Sequence, residues 1–149
     1  HELVLINSHM SAYDKGGTSR AQQLALLTKI MSEERDKGNY VIAGGDWNHA
    51  ILGSLTLYPS IQQVPDWVAE LKESDLPEGF SVVAPDNLNN VPTCRGDDIP
   101  YEKDKTYTTA VDGWIVSDNV IATARNIDTQ FAYSDHNPVL LSFTLKSAA

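Results

Sequence analysis

The residues best suited to chemistry in this 149-residue chain lie in four short polar stretches, each at the end of a predicted strand. They are Asn7-Ser8-His9, Asp46-Trp47-Asn48, Asp112-Gly113 and Ser134-Asp135-His136. Polar groups at several strand ends are typical of a binding site along one edge of a sheet. The spacing therefore predicts one polar site built from distant parts of the chain.

These side chains suit metal-assisted chemistry on a phosphate. Carboxylates such as Asp46 and Asp135 are the hard oxygen ligands that Mg²⁺ prefers. Histidines beside a phosphate donate hydrogen bonds or transfer protons, and a carboxylate such as Asp112 selects the tautomer of its histidine partner. The alternative is local turn chemistry, in which Asp and Asn side chains only satisfy backbone amides or cap an element.

The stretch Tyr40 to Asn48, YVIAGGDWN, organises this site. Its apolar run over 40–43 predicts a buried strand, and the two glycines that follow allow a bend or a close approach to a ligand. Asp46 and Asn48 would then project from the end of the strand.

The first 43 residues predict a strand–helix–strand unit. The unbroken apolar run over 3–6 predicts a strand covered on both faces. The sequence over 19–22 has the form of a capping box that begins a helix of about five turns, and Gly38 ends that helix.

The remaining chain predicts a β-rich second part with a long surface loop. We expect a helical turn over 65–71, a strand over 80–84, a loop over 85–105, a hairpin over 113–127 and a strand over 138–145. Trp47, Trp67 and Trp114 are expected in the core.

Composition limits the class of protein. A hydrophobic fraction of 42% and the length predict a single globular domain over residues 1–149. The net charge of −9 argues against nucleic-acid binding through a basic surface. One cysteine, Cys94, excludes a disulfide within the chain, and no apolar run reaches the length of about 18 residues that a transmembrane segment needs. The sequence assigns no cellular compartment.

Four motifs together resemble those of the endonuclease/exonuclease/phosphatase superfamily, which includes DNase I, abasic-site endonucleases, sphingomyelinases and inositol polyphosphate phosphatases. They are INSHM, GGDWN, TTAVDGWIVS and YSDHNPV, in the family's order over residues 5–140. The resemblance implies an α+β fold, the DNase I-like four-layer αββα sandwich. The chain looks like the C-terminal half of that domain, and the family's N-terminal half, with its metal-binding Glu, is missing from it.

The resemblance also implies catalytic roles. Asp46 and Asn48 would hold the attacking water and the scissile phosphate. His136 would contact the phosphate and take part in proton transfer, with Asp112 orienting its ring. His9 would donate a hydrogen bond to the phosphate. Whether Asp46 or His136 accepts the proton of the water stays open.

The same resemblance implies the metal contacts, whereas the candidate substrate contacts follow from the positions of the residues in the chain. Asp135 and Asp46 would hold Mg²⁺, with Mn²⁺ or Ca²⁺ as alternative cations. Asn7, Arg20 and Arg95 are candidate substrate-binding residues, and a solvated surface position is the alternative for both arginines.

The predicted function is Mg-dependent hydrolysis of a phosphoester by metal- and His/Asp-assisted attack of water. The substrate would be a small molecule, a lipid headgroup or a nucleic acid. Either the missing N-terminal half or a second copy would cover the sheet face. The alternative is a non-catalytic binding or interaction domain that retains the scaffold, or an inactive fragment of the enzyme.

Overall fold

The structure is a computed structural model that describes residues 1–147. In this part of the chain there is one α-helix, α1 (Thr18–Asp36), and there are 3₁₀ turns at Ser54–Thr56 and Glu73–Asp75. The strands, in chain order, are β1 (Leu3–His9), β2 (Tyr40–Asp46), β3 (His49–Ile51), β4 (Ala69–Leu71), β5 (Phe80–Val82), β6 (Cys94–Arg95), β7 (Thr108–Thr109), β8 (Asp112–Ser117), β9 (Val120–Asn126) and β10 (Val139–Leu145). The predicted α+β class is confirmed.

The central sheet has the strand order β1-β2-β8-β5. β1 and β2 run parallel and are connected through α1, whereas β8 runs antiparallel to β2 and β5. Three two-stranded sheets, β9-β10, β3-β4 and β6-β7, surround it. The predicted strand–helix–strand unit is therefore present, and it supplies half of the central sheet.

One apolar cluster lies between α1 and the central sheet. Leu27 and Met31 of α1 pack with Val41, Ala43 and Ile115, which alternate with residues on the opposite face of β2 and β8. Trp47 is fully buried in the same cluster, which confirms its predicted core position. This cluster fixes the helix against the strands that end at the site.

The beginning of α1 differs from the prediction. The helix starts at Thr18 after Gly17, whose φ of 71° is left-handed, and no side-chain capping bond forms there. Instead, the Asp14 carboxylate accepts a hydrogen bond from the backbone N–H of Arg20 at 2.9 Å. The predicted capping box over 19–22 is wrong, because an acid upstream of the helix takes that function.

Two predictions for the second part are also corrected. The predicted helical turn over 65–71 contains β4, which pairs in parallel with β3. The predicted hairpin over 113–127 has its turn at Asp118-Asn119, but its two strands belong to different sheets: β8 pairs with β2 and β5, while β9 pairs with β10. Local turn signals locate such a bend but do not select the pairing partners of the strands it joins.

The first strand has an apolar face that the described chain leaves open. Leu5 is 66% exposed, and Leu3, Leu140 and Phe143 are also exposed. A groove of about 360 Å³ runs along this surface beside the half-buried Trp114. The expectation that β1 is covered on both faces is wrong, because its residues alternate between half-buried ones, such as Ile6 against the core, and exposed ones, such as Leu5. Within residues 1–147, no helix is long and apolar enough to cross a membrane.

Gly45 is the position where the sheet tolerates a side chain least. Its φ is +154°, and a Cβ atom there would lie 1.7 Å from the Ser8 carbonyl oxygen of β1. We expect Gly45→Ala to lower the free energy of unfolding by about 3 kcal/mol, since the backbone of the paired strands must separate. Urea denaturation followed by circular dichroism measures this loss.

Gly53→Ala is the matched control. Gly53 also has a left-handed φ, +72°, but no atom lies within 4 Å of the position that an alanine methyl group would occupy. We expect a loss of about 1 kcal/mol, the cost of the backbone conformation alone. Equal losses in the two variants would contradict the proposed strand contact.

Candidate functional site

Strand register places the first three site residues side by side. His9 is opposite Asp46 in the β1-β2 pair, and Asp46 is opposite Asp112 in the β2-β8 pair. The three positions span more than one hundred residues of the chain, yet each is at the same edge of the sheet. The prediction that the polar stretches meet at one edge is realised for these three residues.

A short strand brings the fourth stretch to this edge. The backbone of β6 forms an isolated bridge in which Cys94 pairs with His136, and the Arg95 N–H donates to the Asp135 carbonyl at 3.0 Å. Asn137 holds the next position by donating its backbone N–H to the Thr93 carbonyl at 2.7 Å. Thus β6 sets the position of His136.

His136 and Asp112 form a close pair. The two atoms His136 Nδ1 and Asp112 Oδ2 are 2.7 Å apart. The hydrogen bond to Asp112, followed by the contact with Cys94, raises the pKa of His136 to about 11 against the opposing effect of burial. Asp112 therefore fixes the ring and favours its protonated form.

Asp46 lies between the two histidines. Its Oδ2 atom is 3.3 Å from His9 Nε2 and 3.8 Å from His136 Nε2, while its Oδ1 atom accepts the Asn48 backbone N–H at 2.8 Å. Burial is the largest cause that raises the pKa of Asp46, and the Asp112 charge adds to it. The hydrogen bond from Asn48 and the two imidazoles oppose this increase.

Asn48 is buried at the bend after β2. Its φ of 47° is left-handed, and its side-chain Nδ2 donates to the Met10 carbonyl at 2.6 Å. Its own carbonyl accepts from Arg20 Nη1 at 3.2 Å. Asn48 therefore joins the ends of β1 and β2 and lines the site at the same time.

Arg20 does not reach the site surface. The residue is 2% exposed, and its guanidinium donates to the backbone carbonyls of Asn48 and Asp14. Direct substrate contact, which the sequence predicted for Arg20, would require uncovering this side chain. Its position instead fits a residue that holds the backbone at Asn48.

Two cavities share Asp46 and His136. The larger, of about 570 Å³, is also lined by His9, Asn48, Arg95 and Asp135, together with Tyr13 and Trp67. The smaller, of about 440 Å³, is lined by Asn7 and Asp112. Arg95 and Asn7 thus lie in different cavities, although both border the same pair of catalytic candidates.

The metal candidates are close to one another. Single ligand atoms of Asp46, Asp112 and His136 lie within 4.8 Å of each other. Asp135 is half exposed, and its Oδ2 atom is 4.0 Å from His136 Nε2. Asp135 lies outside this group of three, whereas Asp46 and Asp112 are the carboxylates that the structure brings together with His136.

Sequence reasoning missed several residues that border the larger cavity, among them Cys94, Tyr13 and Trp67. Cys94 has its sulfur 3.7 Å from His136 Nε2, and burial is the main cause that raises the pKa of its thiol. Trp67 was expected in the core but is half buried on the cavity wall, where it meets Tyr13. No local pattern marks these positions, because they belong to segments whose path depends on distant contacts.

Solved structures with a similar fold include TDP2 from Caenorhabditis elegans, at a TM-score of 0.63 and 16% identity over 96% of this chain and 42% of that chain. TDP2 from D. rerio, complexed with a single-strand DNA product, matches at 0.59 and 17% over 94% of this chain and 55% of that chain. A mannosyl-6-phosphatase from Bacteroides thetaiotaomicron matches at 0.53 and 19% over 95% of this chain and 51% of that chain.

These similarities define the fold as DNase I-like, which confirms the predicted resemblance at the level of the fold. The chain spans about half the length of the solved structures that it matches. No protein-family model and no curated protein matches the sequence.

The His136–Asp112 pair yields a direct test. We expect Asp112→Asn to lower the pKa of His136 toward its ordinary value of 6.5, since the largest cause of the increase is removed. A raised pKa stabilises the fold fully below pH 6.5, and this contribution disappears as the pH rises through about 11. The stability difference between the two proteins should follow that pH window.

Titration of the His136 ring protons by NMR measures the change. Asp135→Asn is the control, because its carboxylate is farther from the ring and half exposed. If the pKa of His136 changed less in Asp112→Asn than in Asp135→Asn, a group other than Asp112 would be the main cause of the raised pKa.

Proposed function

We propose that this chain forms one side of the active site of a metal-dependent phosphoester hydrolase. The observation that carries the proposal is the line of groups from Asp112 through His136 to Asp46, at 2.7 Å and 3.8 Å. An oriented imidazole facing a half-buried carboxylate can position a water and stabilise charge on a phosphate. The DNase I-like fold and the shared sheet edge support this assignment.

The residues have separate tasks in the proposed reaction. Asp46 and Asn48 hold the attacking water beside the phosphate, and its proton goes to Asp46, or to His136 in the fraction of molecules whose imidazole is neutral. Asp112 keeps His136 turned so that Nε2 faces Asp46. His9, the more exposed of the two histidines, donates to a phosphate oxygen. Asn7 and Arg95 contact the substrate from the two cavities.

A divalent cation fits the donor chemistry of the site. Asp46 and Asp135 would hold Mg²⁺, with Mn²⁺ or Ca²⁺ accepting the same oxygen donors. Five aspartates line the larger cavity. Among the described residues of its lining, Arg95 is the one side chain with a permanent positive charge. A phosphate would meet net repulsion there, so additional positive charge is needed. When bound, the metal supplies that charge and stabilises the phosphate oxygens.

We also propose that the chain is the second half of a four-layer αββα sandwich and forms a single domain with the other half. The match to about half of each similar structure supports this. The exposed apolar face around Leu5 supports it too, because monomers rarely leave such surfaces open. A second copy of the chain is the alternative cover for this face.

The fold relatives support a phosphoester as the class of substrate. A mannosyl-6-phosphatase and a TDP2 structure with a single-strand DNA product support a phosphoester as the reacting group. The substrate would be a small molecule, a lipid headgroup or a nucleic acid. The net charge of −9 disfavours duplex DNA held by a basic surface.

Substitution of the central pair tests the function. In the complete gene product with Mg²⁺, we expect Asp46→Asn and His136→Ala each to reduce hydrolysis of bis(p-nitrophenyl) phosphate by about 10²–10⁴-fold. The 149-residue chain alone should bind Mg²⁺ weakly and hydrolyse little, because the resemblance implies that a principal cation ligand, a Glu, belongs to the other half of the domain.

Asp36→Asn is the control, since this exposed acid ends α1 just before β2 begins, whereas Asp46 lies at the other end of that strand. Circular dichroism checks that each variant folds. Unchanged turnover in Asp46→Asn or His136→Ala would overturn the function. Phosphoester binding without turnover in the complete product would favour the non-catalytic alternative.

The proposed sandwich has its own test at Leu5. In the 149-residue chain, Leu5→Ser should change the free energy of unfolding by less than about 0.5 kcal/mol, because the side chain is exposed. In the complete product, where the second sheet covers it, the loss should be about 2 kcal/mol.

Ile61→Ser, at a 76% exposed loop position, should be neutral in both proteins. Gel filtration distinguishes whether the other half of the domain or a second copy covers the apolar face around Leu5. A dimer of the 149-residue chain would favour a second copy. A neutral Leu5→Ser in the complete product would contradict the sandwich.

A further inference from the structure

An aromatic pair that has no role in the proposed reaction borders the larger cavity. The rings of Tyr13 and Trp67 meet edge to face, with centroids 5.7 Å apart and an interplanar angle of 63°. Tyr13 is 66% exposed and has a left-handed φ of 53°, while Trp67 is half buried. Both rings border the same cavity as Asp46 and His136. Substrate in that cavity would meet aromatic surface beyond its phosphate.

Negative charge surrounds this pair. Asp66, Asp97, Asp98 and Asp135 line the cavity with the rings. Lys15 Nζ forms an ion pair with Asp66 Oδ2 at 2.8 Å. Among residues 1–147, no basic side chain lies within 4.0 Å of the carboxylate of Asp97 or Asp98.

The field of these acids reaches Tyr13. Asp97 is the largest cause that raises the pKa of the Tyr13 hydroxyl, followed by burial and then by Asp98 and Asp135. Arg95 does not offset it fully, because its single positive charge faces several carboxylates in the lining of the same cavity. The aromatic side of the cavity is therefore both apolar and negative.

Those two properties select one kind of ligand. The negative field repels a polyanionic strand, and a neutral alcohol gains nothing from it. An organic cation is attracted both by the carboxylates and by the faces of the aromatic rings. The cavity volume of about 570 Å³ is in the range of small-molecule sites.

We infer that the Tyr13–Trp67 pair and the Asp97–Asp98 carboxylates form a subsite for a positively charged alcohol group, an amino alcohol or a quaternary ammonium, of the phosphoester substrate. Placement of its phosphate beside His136 rests on the proposed function. Recognition of the cation does not, because it uses none of the catalytic residues. Soluble phosphodiesters and lipid headgroups share this chemistry.

Binding of the cation alone is the first test. Choline is titrated into the 149-residue chain and followed by NMR chemical shifts, with its uncharged carbon analogue, dimethylbutanol, as the matched probe. We expect choline to bind more tightly than the analogue and to shift the Trp67 indole signal. Trp67→Leu should weaken choline binding by about 5-fold or more.

A double substitution, Asp97→Asn with Asp98→Asn, removes the field without removing packing, so it tests the inference even if Trp67→Leu fails to fold. It should also weaken choline binding, whereas Asp36→Asn should not. Equal binding of choline and dimethylbutanol, or choline binding that survives the double substitution, would overturn the inference.

Hydrolysis separates this inference from the proposed function. The complete gene product is assayed on p-nitrophenyl phosphorylcholine and on methyl p-nitrophenyl phosphate, which share a leaving group and differ in the cationic group. We expect kcat/KM to favour the phosphorylcholine ester, and Trp67→Leu to remove the preference. Phosphatidylcholine vesicles then distinguish a lipid headgroup from a soluble diester.

Each result has a separate meaning. Choline binding without hydrolysis of either ester leaves the subsite standing and overturns the proposed function. Equal hydrolysis of both esters, or a preference for the methyl ester, overturns the subsite and leaves the function standing.

Discussion

The close pairing of β1, β2 and β8 is the constraint on which the site depends. β2 can approach both neighbours because it carries glycine where they meet it: Gly45 lies against the Ser8 carbonyl, and Gly44 lies against the Trp114 ring. A Cβ atom would lie 1.7 Å from the carbonyl oxygen at the first position and 2.4 Å from the ring at the second. The resulting register places His9, Asp46 and Asp112 next to one another. The same two glycines therefore determine both the packing of the sheet and the geometry of the site.

A second set of backbone contacts delivers His136 to these strands. Thr93 is central to it: the residue is fully buried, its carbonyl accepts from Asn137, and its hydroxyl accepts from the N–H groups of Val111 and Asp112. One threonine thus connects the start of β8 with the loop that carries the histidine. Because Thr93 anchors Asp112 and the residue after His136, the 2.7 Å contact between Asp112 and His136 requires little further ordering of the side chains.

The two cavities at the site differ in charge and in the surfaces that they border. The larger cavity is acidic and partly aromatic, which suits a cation as well as a metal-bound phosphate. The smaller cavity continues past Trp114 toward the open apolar face of β1 and β10, since Trp114 borders the groove there as well. A second sheet on that face would therefore lie beside Asn7 and complete the walls around Asp46. In the proposed sandwich, folding and catalysis depend on the same surface.

The sequence by itself determined the α+β class, the strand–helix–strand unit and the four polar stretches, because short-range periodicity and residue chemistry are local properties. It also placed Asp46, Asp112 and His136 in one site through the order of the motifs. It did not predict the open face of β1, the strand β4, the buried position of Arg20 or the cavity position of Trp67. Those features were decided by tertiary structure alone, since burial and strand partners depend on segments that are distant in the chain, and no local pattern records which of them will meet.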